Sequence, residues 1–190
     1  MKEYHQFYIN GSWVDPINGL NKLDVLNPAT EEPIGSIALG SSEDVNAAVD
    51  AAKNAFASFS SSEKEERVGY LEKIIEIYMK RSSEMAEAIS SEMGAPMSLA
   101  SKAHSPSGLG HFMTALETLK NYDFEQQKDG LFIRKEAIGV VGMITPWNWP
   151  INQIACKVAP ALAAGCTMIL KPSEIAPLNA MLMAEIIHEA

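Results

Sequence analysis

The chain has 190 residues, of which 47% are hydrophobic and 21% are charged, and this composition is typical of a globular protein. Its length suits one domain or two small ones and can bury a core without disulfides or metals. The 24 acidic and 15 basic residues give a formal net charge of −9. Nucleic acid is therefore not an expected partner, because binding a phosphate backbone requires a basic surface.

The cysteine content and the hydrophobic segments indicate the cellular compartment of the protein. Cys156 and Cys166 are too few for a disulfide framework and are typical of a reducing compartment. No apolar signal segment is visible at the N-terminus. The longest weakly polar run covers residues 158–170 and is too short to span a bilayer. We therefore expect a cytoplasmic protein that has no membrane partner.

The first part of the sequence predicts two extended segments and then a series of helices. Residues 6–14 flank Asn10-Gly11, a pair that accepts the positive φ angles of a type I′ turn, and so predict a β-hairpin. Residues 23–26 form the next predicted strand. Apolar spacing and capping signals then predict helices over 42–56 (with apolar positions from Val45), 62–78 (with a Ser62–Glu65 capping box), 83–93 and 107–119.

The second part predicts alternating strands and helices. Residues 131–137 alternate as a strand after the turn pair Asp129-Gly130. Residues 139–144 form a continuous apolar run, which is typical of a strand buried on both faces of a parallel sheet. A helix over 150–165, a strand over 166–170 and a helix over 178–190 complete the predicted order.

The strand–helix–strand order of residues 139–170 predicts where a ligand would bind. The two strands of such a βαβ unit run parallel, so the segments 145–148 and 171–174 that follow them lie at one edge of the sheet. Ligands of open α/β sheets bind outside the carboxyl ends of the strands. These two segments are therefore the predicted site.

Asn148 stands between Trp147 and Trp149, directly before the predicted helix. Its side-chain amide can donate a hydrogen bond to an oxygen that becomes negative during a reaction, and the helix N-terminus also favours anions. Alternatively, Asn148 caps the helix and the tryptophans belong to the core. Asn is strongly preferred at helix N-caps, so the spacing alone favours this second interpretation slightly.

Lys171 and Glu174 place a cation and a carboxylate three residues apart after the second strand. A carboxylate there can accept hydrogen bonds from both hydroxyls of an adenosine ribose and would repel a 2′-phosphate. Lys171 can donate to the same ribose. Alternatively, the two residues form a solvated pair, with Ser173 capping the next helix and Glu174 at its first position. The pattern does not decide between these possibilities.

Other motifs with a known chemistry are missing from the sequence. It contains no GxGxxG dinucleotide motif, no P-loop and no CxxC pair. The histidines show no metal-ligand spacing, so no metal is expected, and His104 and His111 are predicted to lie on the surface. Cys156 and Cys166 are predicted to be small core residues without an activated thiol.

Three segments together resemble the aldehyde dehydrogenase superfamily. They are residues 144–150, 160–166 and 171–174, and the N-terminal segments 9–13, 25–30 and 44–56 agree with the same family in the same order. The resemblance implies an α/β fold with an incomplete Rossmann-like parallel sheet, preceded by a β-hairpin and helices. It also implies NAD-dependent oxidation of an aldehyde to a carboxylic acid, with NADP as a possible cofactor.

In that family a cysteine thiolate attacks the aldehyde, and the reaction proceeds through a thiohemiacetal and a thioester. The resemblance assigns Asn148 as the donor to the substrate oxyanion. It implies that Glu174 favours NAD over NADP. The residues that it assigns to the cofactor are Ile144, Thr145, Pro146 and Trp147 along its length, Lys171 and Glu174 at the adenosine ribose, and Ser173 beside them.

Family members continue well beyond the length of this chain. The resemblance implies that residues 1–124 and 138–190 belong to the NAD-binding domain and that 125–137 form a strand of the oligomerisation arm. The catalytic domain, with the nucleophilic cysteine and the general-base glutamate, is absent. We therefore expect this chain alone to be inactive, and the full-length enzyme to bind an aldehyde and form a homo-oligomer. The alternative is a non-catalytic module that keeps an adenosine or NAD half-site or serves assembly.

Overall fold

The strands at the N-terminal end form two small sheets in the computed structural model, which describes residues 2–190. β2 (Phe7–Ile9) and β3 (Ser12–Val14) form the predicted hairpin, with positive φ angles at Asn10 and Gly11. β4 (Lys22–Leu26) confirms the next predicted strand and pairs antiparallel with β5 (Pro33–Ala38). β1 (Lys2–Tyr4) pairs in parallel with β5. No sequence pattern predicts β1, which is short and charged, or β5, which contains Pro and Gly.

The helices α1 (Ser42–Phe59), α2 (Lys64–Lys80) and α3 (Ser82–Met93) confirm three of the predicted helices. α1 is capped by Ser41, whose side chain accepts the Asp44 N–H in a capping box, and α3 ends at Gly94 in the left-handed conformation. Val45 is exposed on α1, so it is not part of the buried stripe.

The predicted Ser62–Glu65 capping box is wrong. α2 begins after Glu63, which makes no side-chain cap, and the Ser62 hydroxyl instead donates to the Phe59 carbonyl at 2.6 Å.

The fourth predicted helix begins ten residues earlier than the expected start at 107. The helical path runs through α4 (Met97–Leu99), a π-helical segment (Ala100–His104) and α5 (Ser105–Lys120). Pro106 and the small polar residues around it have low helix propensity, and this masked the helical turns that precede them.

The C-terminal part contains the predicted βαβ unit. β8 (Val140–Ile144) pairs in parallel with β9 (Thr167–Lys171), and α6 (Pro150–Ala163) connects them before α7 (Leu178–Glu189). An additional hairpin of β6 (Glu125–Lys128) and β7 (Leu131–Arg134) precedes this unit, turning at Asp129-Gly130. The sequence predicted only the second of these strands, because β6 is wholly polar.

The prediction that β8 is buried on both faces is wrong. Met143 is buried in the core, whereas Ile144 is 78% exposed and Gly142 is exposed as well. Successive strand residues point to opposite faces, so only the Met143 face is covered along this half of the strand. β8 presents its other face to the surface beside the predicted site.

Close packing of α5 against α2 and α6 builds the centre of the core. Tyr78 is fully buried and its hydroxyl donates to the Ser105 carbonyl at 2.9 Å. Gly108 makes this packing possible, because a Cβ at this position would lie 2.6 Å from the Tyr78 hydroxyl oxygen and 2.7 Å from Ile151 Cγ1. The three helices therefore meet at a position that only glycine can occupy.

A buried carboxylate joins α3 to the start of α7. Glu92 is 1% exposed and accepts hydrogen bonds from the Leu178 N–H, from the Asn179 N–H at 2.9 Å and from the Asn179 side-chain amide at 2.7 Å. It thereby satisfies N–H groups that the first turn of a helix leaves without partners. The loop between β9 and α7, which carries Ser173 and Glu174, is fixed at its far end by these bonds.

We expect the Gly108→Ala variant to lose about 1–3 kcal/mol of unfolding free energy, because overpacking must displace Tyr78 or Ile151. The matched control is Gly110→Ala in the same helix, where a Cβ meets nothing within 4 Å. The control should gain roughly 1 kcal/mol from helix propensity. Urea denaturation of both variants measures the difference, and equal stabilities would contradict the close contact.

Glu92 should also make stability depend on pH. Burial raises the pKa of the Glu92 carboxyl from 4.5 to about 7, although the donated hydrogen bonds favour the charged form. Between these values the folded protein holds a proton that the unfolded chain has released. The stabilisation from Glu92 is therefore complete below pH 4.5 and is lost as the pH rises to 7, by about 3 kcal/mol in total.

Glu92→Gln cannot titrate, so the stability difference between wild type and variant should narrow by up to about 3 kcal/mol from pH 4.5 to pH 7. Chemical denaturation at the two pH values measures this change. The control is Glu76→Gln. The exposed Glu76 carboxyl of the wild type pairs with Lys80 and has a lowered pKa, so the stability difference between wild type and this variant should not narrow. A Glu92→Gln difference that stays constant with pH would refute the linkage.

Candidate functional site

The two predicted site segments meet at one edge of the β8–β9 sheet. Ile144 and Lys171 are paired residues at the ends of the two strands, and the Thr145 N–H donates to the Lys171 carbonyl at 3.2 Å. The chain then turns into α6 on one side and into the loop before α7 on the other. The structure therefore brings the starts of the 145–148 and 171–174 segments together.

Asn148 lies in the turn between β8 and α6 and is exposed. The N-cap position of α6 belongs to Trp149, whose side chain makes no capping bond, and Pro150 is the first helical residue. The interpretation of Asn148 as the helix cap is therefore wrong. Trp147 and Trp149 are 46% and 37% exposed, so they are not core residues either. The Asn148 amide stands at an open position close to a helix N-terminus.

The remaining residues of the first segment differ in exposure. Thr145 is 4% exposed and is the buried member of the turn, whereas Ile144, Pro146 and Trp147 face the surface. Together they form an apolar border along the end of β8.

Lys171 and Glu174 form an ion pair, with 3.0 Å between Lys171 Nζ and a Glu174 carboxylate oxygen. Both side chains remain more than half exposed. Hydrogen bonding to its own backbone N–H and the Lys171 charge lower the pKa of Glu174. Its carboxylate is therefore ionised at neutral pH and can accept bonds from two neighbouring hydroxyls.

Ser173 does not cap the following helix. α7 begins at Leu178, and the Ser173 hydroxyl oxygen instead accepts the Ile175 N–H at 3.3 Å. Glu174 is accordingly not the first residue of a helix, and that part of the alternative interpretation is wrong. The other part, a solvated ion pair, agrees with the exposed Lys171–Glu174 contact.

The prediction that His104 and His111 lie on the surface is wrong. His104 is 1% exposed and stacks on Trp149, with 4.0 Å between ring centroids. His111 is half-buried, with its Nε2 3.0 Å from the Asn152 side-chain nitrogen on α6. Both contacts join residues about forty positions apart in sequence, and no local pattern could have shown them.

The structure partly confirms the expected burial of the cysteines. Cys166 is buried at the start of β9, whereas Cys156 is only half-buried on α6. Among residues 2–190 no group of three or more His, Cys, Asp or Glu side chains is placed to hold a metal ion. No helix in this part of the chain is long and apolar enough to cross a membrane.

The sequence model of the aldehyde dehydrogenase family matches residues 13–190. A 3-succinoylsemialdehyde-pyridine dehydrogenase from a Pseudomonas species is 51% identical over 190 residues, which are 100% of this chain and 40% of that protein. The crystal structure of an aldehyde dehydrogenase from Bartonella henselae matches at 50% identity with a TM-score of 0.96, over 100% of this chain and 40% of that chain.

A mutant of aldehyde dehydrogenase C from Pseudomonas syringae, solved in complex with NAD+ and octanal, matches at 45% identity with a TM-score of 0.95. The alignment covers 97% of this chain and 38% of that chain. This chain thus spans about 40% of the length of the proteins that it matches.

Proposed function

The chain belongs to the aldehyde dehydrogenase family, and from this membership we propose that it is the N-terminal portion of an NAD-dependent enzyme that oxidises an aldehyde to a carboxylic acid. The single observation that carries the proposal is the meeting of the Asn148 turn and the Lys171–Glu174 pair at one sheet edge. A donor for a substrate oxygen and an acceptor for a ribose then lie in the two loops that start at this edge.

Asn148 is the proposed oxyanion donor. When a nucleophile attacks an aldehyde carbon, the carbonyl oxygen gains negative charge, and a fixed neutral amide stabilises that charge as it develops. The start of α6 adds to this effect, because the free N–H groups of a helix N-terminus attract anions. Asn148 is exposed two residues before Pro150, the first residue of α6, and its amide does not cap the helix, which supports this role.

The residues at the sheet edge are the proposed binding site for an adenosine dinucleotide. The ionised Glu174 carboxylate would accept the two ribose hydroxyls, Lys171 would donate to the same ribose, and Ser173 lies between them. Ile144, Thr145, Pro146 and Trp147 would line the rest of the cofactor. Bound NAD would be the oxidant of the reaction. The Glu174 charge would repel the 2′-phosphate of NADP and so favour NAD.

The covalent steps would require groups that lie outside this chain. Cys166 is buried, and the half-buried Cys156 on the connecting helix α6 donates its thiol to the Gln153 carbonyl at 3.5 Å, with Lys157 Nζ 3.6 Å from its sulfur. We propose that neither cysteine is the nucleophile, so residues 1–190 alone would not oxidise aldehydes. The β6–β7 hairpin carries exposed Leu131 and Phe132 and is the proposed contact for a homo-oligomer. That exposure also favours the second candidate, an assembly module without catalysis.

The proposal can be tested in a chimera that joins residues 1–190 to the remaining portion of the Pseudomonas relative of 51% identity. The chimera should reduce NAD in the presence of an aldehyde. In it, Asn148→Ala should lower kcat about 100- to 1000-fold, because one oxyanion donor is lost. KM for NAD should stay unchanged. Absorbance of the reduced cofactor gives both constants.

Asn54→Ala is the control for this experiment, because Asn54 is an exposed residue of α1 that belongs to neither site segment. It should retain full activity. A folded chimera without activity would favour the assembly module instead. An active chimera in which Asn148→Ala has no effect on kcat would refute the assigned role of the amide.

Glu174→Gln should raise KM for NAD about tenfold, because a hydrogen bond to a charged acceptor is weakened. It should also lower the preference for NAD over NADP, since the charge that repels the 2′-phosphate is gone. The ratio of kcat/KM for the two cofactors in the chimera measures this preference. Glu76→Gln, which removes the carboxylate of an exposed Lys–Glu pair on α2, should leave the ratio unchanged.

A further inference from the structure

We propose that His104 is a positioning residue, whose stack on Trp149 holds the turn that carries Asn148. The inference rests on the proposed function, because Asn148 matters there as the oxyanion donor. It adds a residue from a distant helical segment to a site otherwise built from two loops.

The stack joins a buried ring to an exposed one. The imidazole of His104 and the indole of Trp149 are nearly parallel, with an interplanar angle of 17° and 4.0 Å between centroids. His104 is 1% exposed, whereas Trp149 is 37% exposed. The buried imidazole is therefore held in place by its surroundings. The indole that stacks on it is that of Trp149, the residue directly after Asn148.

The backbone around His104 is fixed to the rest of the core. His104 closes the π-helical segment, and such segments are often found at functional sites. The carbonyl of the next residue, Ser105, accepts a hydrogen bond from the Tyr78 hydroxyl. The Ser105 hydroxyl donates a hydrogen bond to the Ser82 carbonyl at 3.0 Å. The Ser107 hydroxyl donates to the His104 carbonyl at 2.7 Å. The position of the imidazole is therefore tied to α2 and α3.

Backbone hydrogen bonds restrain the two ends of the turn, from the Thr145 N–H to the Lys171 carbonyl at 3.2 Å and from the Gln153 N–H to the Trp149 carbonyl at 3.0 Å. No side chain caps the start of α6, and Trp149 has φ −139° and ψ 67°, outside the helical region. Trp147, on the other side of Asn148, is 46% exposed. The stack of Trp149 on His104 is therefore the aromatic contact that restrains the turn next to Asn148.

Packing and stacking, and not hydrogen bonding through Nδ1, hold the His104 ring. Its Nδ1 is buried and has no hydrogen-bond partner within residues 2–190. Burial also lowers the pKa of His104, so the ring is neutral at pH 7. A flat apolar ring should consequently replace it, whereas a branched aliphatic side chain of similar size should not.

The experiment follows the side-chain amide of Asn148 by ¹⁵N–¹H NMR of the 190-residue chain. Asn148→Asp assigns the amide signals by their disappearance, and Trp149→Phe assigns the indole N–H. His104→Phe should leave the Asn148 signals in place. His104→Leu should broaden or split them and should remove the ring-current shift of the Trp149 indole.

His188→Leu is the matched control, because His188 makes an edge contact with Tyr8, on another part of the molecule. It should leave the Asn148 signals unchanged. Trp149→Leu tests the same stack from its exposed side and keeps the test valid if His104→Leu does not fold. A purely structural role for His104 would lower the unfolding temperature without a selective change in the Asn148 signals.

Unchanged Asn148 signals in Trp149→Leu, or in a folded His104→Leu, would overturn the inference. So would a His104→Phe variant that disturbs the signals as strongly as His104→Leu. These readouts need no dehydrogenase activity. Failure of the proposed function would appear as an active chimera in which Asn148→Ala has no effect, and failure of this inference would appear only in the NMR signals.

Discussion

Parallel pairing of β8 with β9 is the constraint on which the candidate site depends. The pairing places Ile144 opposite Lys171, so both strands end at the same edge and both following loops start there. A helical crossover is the ordinary way to join two parallel strands, and α6 connects β8 to β9. Without this register, Asn148 and the Lys171–Glu174 pair would have no reason to lie near each other.

The helices around this strand pair hold the two loops in place from behind. Gly108 lets α5 pack tightly against Tyr78 and Ile151. His104, which directly precedes α5, stacks on Trp149 in the turn before α6. Glu92 restrains the other loop, because its carboxyl accepts hydrogen bonds from the first N–H groups of α7. Each loop of the site is therefore restrained by a buried polar or aromatic residue from a helix earlier in the chain.

Much of the fold could be predicted from local patterns. The Asn10-Gly11 hairpin, the end of α3 at Gly94 and the βαβ order were all confirmed, because turn glycines and apolar periodicity act over a few residues. β6 was missed because it is a polar strand whose identity depends on its partner β7. The predicted helices over 150–165 and 178–190 begin where α6 and α7 begin, whereas capping by Asn148 or Ser173 would require helices that start earlier.

The sequence by itself determined the α/β order, the family and the two segments at the sheet edge, because strand and turn signals are local and the motifs are contiguous. Only the tertiary structure decided that His104 and Glu92 are buried supports of those segments and that one face of β8 is open. The physical reason is distance along the chain. Glu92 meets α7 across more than eighty residues, and burial or stacking of that kind arises only when separate elements pack together.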